Sequence, residues 1–228
     1  MALDNIQGIA FEFMGKDIYI HDTVVNSWLV VIALSIFAIY INKKIKNAKV
    51  DEKPTGILNV VEIIVEAIDN LVESTMGKDK MKFSPYIVML ALYLAVANLL
   101  GLIGLTPPTS DYNVTLALAI ITFVMTQYYG MKSKGVGGYL KTLGEPFVFL
   151  LPINIVGEIA NPISLSFRLF GNILSGVIIM GLLYGALGYF APVVTFALHG
   201  YFDVFAGLIQ TFIFMMLTMV FVSMAMDD

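Results

Sequence analysis

Long uninterrupted apolar runs constrain this chain more than any other feature. A helix needs about 20 mostly apolar residues to cross about 30 Å of hydrocarbon. Three separate runs meet that requirement: 24–41, 84–105 and 113–131. A further apolar stretch extends from Phe147 to Met226, and Gly188 to Pro192 is its natural break, giving 147–187 and 193–226. The first of these arms has 41 residues. As one helix it would be about 60 Å long, roughly twice the hydrocarbon core. It must tilt, break or lie partly along the membrane. Pro152 and Pro162 are candidate bends, because each lacks the amide proton of a helical bond. The expected architecture is all-α, a single membrane domain over 1–228 with five membrane helices, the last two forming a long tilted hairpin.

Composition excludes the alternatives. The chain is 58% hydrophobic and 13% charged, and its mean hydropathy is +0.85. A soluble domain is about 25% charged and about 45–50% apolar. A disordered protein, a secreted disulfide scaffold and an ordinary soluble enzyme are all inconsistent with these values. Cys is absent, which removes thiolate chemistry, disulfides and Cys-based zinc sites. The net charge of −4 argues against nucleic acid as a partner.

The basic residues define an orientation. Lys43, Lys44, Lys46, Lys49 and Lys53 follow the first run; Lys78, Lys80 and Lys82 precede the second; Lys132, Lys134 and Lys141 follow the third. Only Lys16 falls on the other side. The expectation is a multi-pass protein of a bacterial inner (plasma) membrane, with the N-terminus outside and the C-terminus cytoplasmic. No basic region precedes an apolar run near the N-terminus, so no signal peptide is expected. Residues 55–76 differ from the spans. Glu62, Glu66, Asp69 and Glu73 recur at three- and four-residue spacing among Ile, Val and Leu. That pattern predicts an amphipathic helix on the cytoplasmic surface. Its acidic stripe reads first as a solvated face, and a partner-binding face is the other reading.

Glu158, Arg168 and Asp203 are the acids and bases well inside the apolar stretches, and His199 lies near them. A charge at mid-bilayer costs about 2.5–3.5 kcal/mol on the insertion scale, so each is a functional candidate by default. Arg168 is the chain's one arginine and lies about twenty residues from either end of its segment, too far to snorkel. Glu158, nearer the start of that segment, is either functional or an interfacial acid. His199 fits a hydrogen-bonding role within the bundle. At 100° per residue, Asn161, Ser164, Asn172 and Ser175 all fall within about 40° of Arg168. On the other arm Gly200, Asp203, Gly207 and Gln210 form a matching face, for which packing through small residues is the plainer reading. Arg keeps its proton in low dielectric where Lys would lose it. A fixed cation repels small cations and favours the ionised form of an approaching carboxylate. This is the chemistry of a gate or an ion-exchange point.

Several motifs are missing. There is no phosphate loop, no His-Glu-x-x-His and no Gly-x-Ser-x-Gly. His199 and Asp203 have metal-ligand spacing but no third ligand, so neither metal nor cofactor is expected. The stretch Gly135-Val136-Gly137-Gly138 reads as a flexible connection.

The run Asn161-Pro162-Ile163-Ser164-Leu165-Ser166-Phe167-Arg168-Leu169-Phe170-Gly171-Asn172 resembles the signature of subunit a of F-type ATP synthases. The run Gln210-Thr211-Phe212-Ile213-Phe214-Met215-Met216-Leu217-Thr218 is similar to that family's final helix. The resemblance implies an ion-translocating stator that is not by itself an enzyme and binds no nucleotide. Its partners would be a rotating ring of c subunits, the peripheral-stalk b subunits, the lipid bilayer and a transported proton or sodium ion. It implies two offset half-channels, with Arg168 between them meeting each ring carboxylate. Asn172 and Gln210 match polar positions near that arginine, and Ser164 one turn earlier. Glu158 corresponds to an acidic region of the cytoplasmic path, and Asp203 to a polar position of the outer path. Some members pair an acid in the first arm with a His in the last. Here the matching positions are Val177 and Asp203, which leaves Asp203 as the sole acid expected on the outer path. The competing expectation is a stand-alone ion channel or secondary transporter.

Overall fold

The computed structural model describes residues 8–13, 16–47, 55–187, 194 and 198–227. In hydrocarbon an unpaired backbone group is costly, so a spanning segment closes its hydrogen bonds within a helix. Strands β1 (Gly8–Phe13) and β2 (Lys16–His21) pair antiparallel, from Gly8 opposite His21 to Phe13 opposite Lys16. Helix α1 (Asp22–Lys46) follows directly, and α2 (Ile57–Met76) is the amphipathic helix. Helix α3 (Ser84–Leu99) is flanked by 3-10 turns at Lys78–Phe83 and Leu100–Ile103. Helix α4 (Tyr112–Leu143) and helix α5 (Leu151–Leu187) come next. Helix α6 (Gly207–Met226) continues a π-helical turn at Gly200–Ala206. Among the described residues five helices are long and apolar enough to cross a membrane, those containing α1, α3, α4, α5 and α6. The chain is a polytopic all-α membrane protein. The expected break at 188–192 lies outside the described residues.

The third run, expected to end at 131 with Gly135 to Gly138 as a flexible connection, continues as helix to a break at Gly135, and a second helical segment runs from there to Leu143. At Gly135 φ is 72°, a left-handed backbone that costs a residue without Cβ little. The helix resumes beyond this break and folds back. Tyr139 consequently rests on Gly130, nine residues earlier, which a straight helix would hold roughly 13 Å away. Glycine spacing resembles a loop in the sequence, but here one glycine makes the bend and another receives the ring.

Lipid tails are as apolar as leucine, so burying apolar side chains gives membrane helices little reason to associate. Close backbone approach and interhelical hydrogen bonds must do it instead. Two apolar clusters supply the shape. In one, Ile68, Val72 and Met76 of α2 pack on Phe83, Ile87, Met215 and Met219. In the other, Leu90, Leu94, Leu165, Leu169, Ile173 and Phe214 join α3, α5 and α6. The polar links are more specific. Asn98, 2% exposed, donates to the Gly207 carbonyl at 3.0 Å and the Thr211 hydroxyl at 3.2 Å, and accepts from Thr109 Oγ1 at 2.6 Å. A Cβ on Gly207 would lie 3.1 Å from that of Asn98. The small-residue face expected on the last arm thus serves, at Gly207, the contact with α3.

The two ends of the bundle differ in charge. At one end Asp22 accepts from Thr106 Oγ1 (2.8 Å) and Asp111 from Thr23 Oγ1 (2.8 Å), tying α1 to the loop before α4. At the lysine-rich end Lys80 bonds Ser223 Oγ at 2.9 Å and pairs with Asp227, and Ser133 donates to the Met226 carbonyl. The Lys80 ammonium holds the Asp227 carboxyl below the usual value, against some desolvation and with help from Ser223.

Asn98→Leu should strand the Thr109 hydroxyl and lose the bridge to Gly207. It is expected to cost about 1–3 kcal/mol, read as a lower unfolding midpoint in detergent. Because the folded pKa of Asp227 is depressed, the clamp is complete above its ordinary value of about 4 and is lost as pH falls through the lower folded value. The hydrogen-exchange protection factor of the Asp227 amide, which donates to the Ser223 carbonyl, should be high at neutral pH and fall on acidification or in Lys80→Ala.

Candidate functional site

Helix α5 divides into two faces. Leu165, Leu169 and Ile173 are buried against α3 and α6. Ser164, Arg168, Asn172 and Ser175 lie exposed on the adjoining side, centred about 100° around the helix, and Asn161 is half-buried at its margin. Among the described residues Arg168 has neither hydrogen bond nor ion pair. Gly171, one turn along, has open space where a Cβ would stand. The polar stripe of α5 therefore faces out of the chain's own bundle.

Asn172 and Gln210 meet at the edge of this face. Asn172 Nδ2 donates to Gln210 Oε1 at 2.6 Å, and Gln210 is 1% exposed. Gln210 Nε2 is buried without a partner among the described residues. The pair joins α5 to α6 beside Arg168, one turn away along α5.

Toward the lysine-rich end, α4, α5 and α6 enclose a cavity of about 610 Å³. Thr122, Thr126, Lys134, Tyr139, Glu158 and Asn161 contribute to its wall. Glu158 is half-buried, and its Oε2 accepts from Gln127 Nε2 at 2.9 Å. Pro162 lies within α5 and has no amide proton, so the Glu158 carbonyl lacks its helical donor. Along the helix axis Glu158 is about 15 Å from Arg168.

The other polar cluster lies toward the opposite end. Tyr184 Oη bonds His199 Nε2, and His199 Nδ1 bonds Asp203 Oδ2. Tyr184 is about 24 Å along α5 from Arg168, on the side away from Glu158. The π-helical turn beginning at Gly200 widens the helix, which brings residues four apart closer to one line. Asp203 sits against the 3-10 turn that follows α3: a Cβ on Gly101 would lie 3.1 Å from its Oδ2. The sequence-predicted residues therefore fall into three groups: Glu158 in the cavity, Arg168 with Ser164, Asn172 and Gln210 at mid-helix, and His199 with Asp203 beyond. An acid–histidine pair, which Val177 denies to the two arms, is present here within one helix. Val177 itself is exposed.

Sequence reasoning did not single out Asn98, Gln127 or Tyr184. Asn98 and Gln127 are amides inside apolar runs, the same kind of signal that marked Arg168. Tyr184 carries no such signal, since tyrosine is ordinary near membrane interfaces. Among the described residues no three His, Asp or Glu converge on a metal position.

The sequence has relatives. The model of the family described as ATP synthase A chain matches residues 24–223. The chain is 35% identical to an ATP synthase subunit a 2 of Bradyrhizobium sp. strain BTAi1, over 90% of this chain and 88% of the relative. It is 38% identical to an ATP synthase subunit a of Lysinibacillus sphaericus, over 77% of this chain and 81% of the relative. The corresponding protein of Geobacter sulfurreducens is 35% identical over 91% of this chain and 88% of its own length. With nearly the whole sequence matched, and its polar stripe, amide pair and flanking acids inside the matched region, the chain belongs to the ATP synthase A chain family.

Proposed function

We propose that this chain is the ion-translocating stator subunit of an F-type ATP synthase. In this reading it forms two offset half-channels against a rotating ring of c subunits, and Arg168 separates them and engages the ring carboxylate. The observation that carries the reading is the setting of Arg168. It is a mid-helix cation on an outward face, unpaired among the described residues, with a polar cluster on either side along the helix axis.

The chemistry follows from charge in low dielectric. An unpaired guanidinium within hydrocarbon is costly, and a carboxylate supplied by a neighbouring body removes most of that cost. The guanidinium stays protonated throughout, so a carboxyl arriving loaded is driven to ionise and give up its ion. The same positive charge repels an ion that would pass directly from one path to the other. The Glu158 cavity serves the lysine-rich side, which the distribution of Lys residues assigns to the cytoplasm of a bacterial plasma membrane. The Asp203–His199–Tyr184 cluster serves the outer side. Asn172 presents its amide beside the arginine, and the buried Gln210 holds that amide from within the bundle. The chain works with the c ring and the peripheral-stalk b subunits, and the transported ion is a proton or sodium. Nucleotide chemistry belongs to other subunits.

In vesicles reconstituted with the assembled complex, Arg168→Ala should reduce ion-driven ATP synthesis to the level of vesicles without complex. Undiminished synthesis would overturn the reading. Asp203→Asn should slow synthesis without abolishing assembly, and the loss should appear with either direction of turnover. An unchanged rate would remove Asp203 from the outer path.

A further inference from the structure

The cavity beside α5 has an internal architecture that the role of Glu158 does not by itself explain. Gln127 stands on α4 and donates to the Glu158 carboxylate across the helix interface at 2.9 Å. The Tyr139 hydroxyl lies beside the same Gln127 carboxamide. Tyr139 belongs to the part of α4 beyond Gly135, so it reaches Gln127 only because the left-handed backbone there turns the helix back. Its ring is held tightly. A Cβ on Gly130 would come within 2.7 Å of Tyr139 Cε2 and 3.2 Å of the Ala225 Cβ. Tyr139 is 6% exposed although it lines a cavity. A bend and a notch thus bring a phenol beside one carboxamide, and that carboxamide bonds the acid.

We infer that Gln127 and Tyr139 are positioning residues for the Glu158 carboxylate, with the Gly135 bend and the Gly130 notch setting where they stand. Lys134 and Asn161 line the same cavity, so the orientation of Glu158 decides whether its oxygens address the passing ion or the lysine ammonium at the wall. A carboxylate held by a neutral donor is kept out of a closed ion pair. It stays available as an acceptor on the path from the lysine-rich side. This inference rests on the reading of the cavity as part of the ion path.

The test uses the assembled complex in vesicles, with variants Gln127→Leu, Tyr139→Phe and Glu158→Gln. Two quantities are measured: ion conduction through the membrane sector, and the infrared carboxylate stretch that Glu158→Gln removes. Gln127→Leu should lower conduction about tenfold, the worth of one hydrogen bond to a charged group. It should also shift the Glu158 carboxylate band. Tyr139→Phe, which keeps the ring on Gly130, should do both to a smaller extent. In the Glu158→Gln background Gln127→Leu should add no further loss, because its action runs through the acid. An unshifted band in Gln127→Leu, or losses that multiply in the double variant, would overturn the positioning role. Wild-type conduction in Glu158→Gln would instead remove the cavity from the ion path. The band shift in Gln127→Leu would then still decide whether the pair positions the carboxylate.

Discussion

Helices in a bilayer are not pushed together by water, and the whole arrangement follows from that. Apolar burial is nearly neutral against lipid, so cohesion depends on backbones that approach closely and on polar groups that find each other. Glycine therefore occurs where something must come near: Gly207 under Asn98, Gly101 under Asp203, Gly130 under Tyr139. Asn98 joins α3, α6 and the turn containing Thr109 through three hydrogen bonds. These contacts set the relative positions of α3, α4 and α6, and α5 packs on the groove they form through Leu165, Leu169 and Ile173.

The placement of Arg168 is a result of that packing. Three leucine and isoleucine side chains hold one side of α5 inward, so the side carrying Ser164, Arg168 and Asn172 is directed outward. Nothing in the described part of the chain neutralises the cation, and Gly171 beside it has empty space where a Cβ would stand. In the proposed function a second body carrying a negative charge lies against this surface and completes it. The interior therefore determines what the exterior lacks.

Much of this was legible in the residues. The apolar runs predicted the spans because hydrocarbon thickness sets helix length. Arg168 stood out because a charge amid apolar residues needs a reason, and helical periodicity placed its neighbours on the same side. The fold-back of α4 was not legible, since Gly135-Val136-Gly137-Gly138 has the composition of a connection and the seat of Tyr139 on Gly130 is a contact between distant residues. The β1–β2 hairpin escaped notice because a scan for long apolar runs passes over short strands. The His199–Asp203–Tyr184 cluster joins residues from both arms, and the π-helical turn beside it is a local widening that no propensity predicts. In general, signals carried by one segment were readable, while partnerships between segments were not.

The π-helical turn at Gly200–Ala206 has a wider consequence. It acts as a phase shifter in an otherwise regular rod. Each residue of an α-helix advances the face by about 100°, so one residue accommodated in a wide turn offsets everything above it against everything below. The half that packs through Gly207, Thr211 and Phe214 can keep its register while the half bearing His199 is turned independently. One residue added or lost there would therefore turn His199 around the rod relative to the half that packs through Gly207 and Thr211.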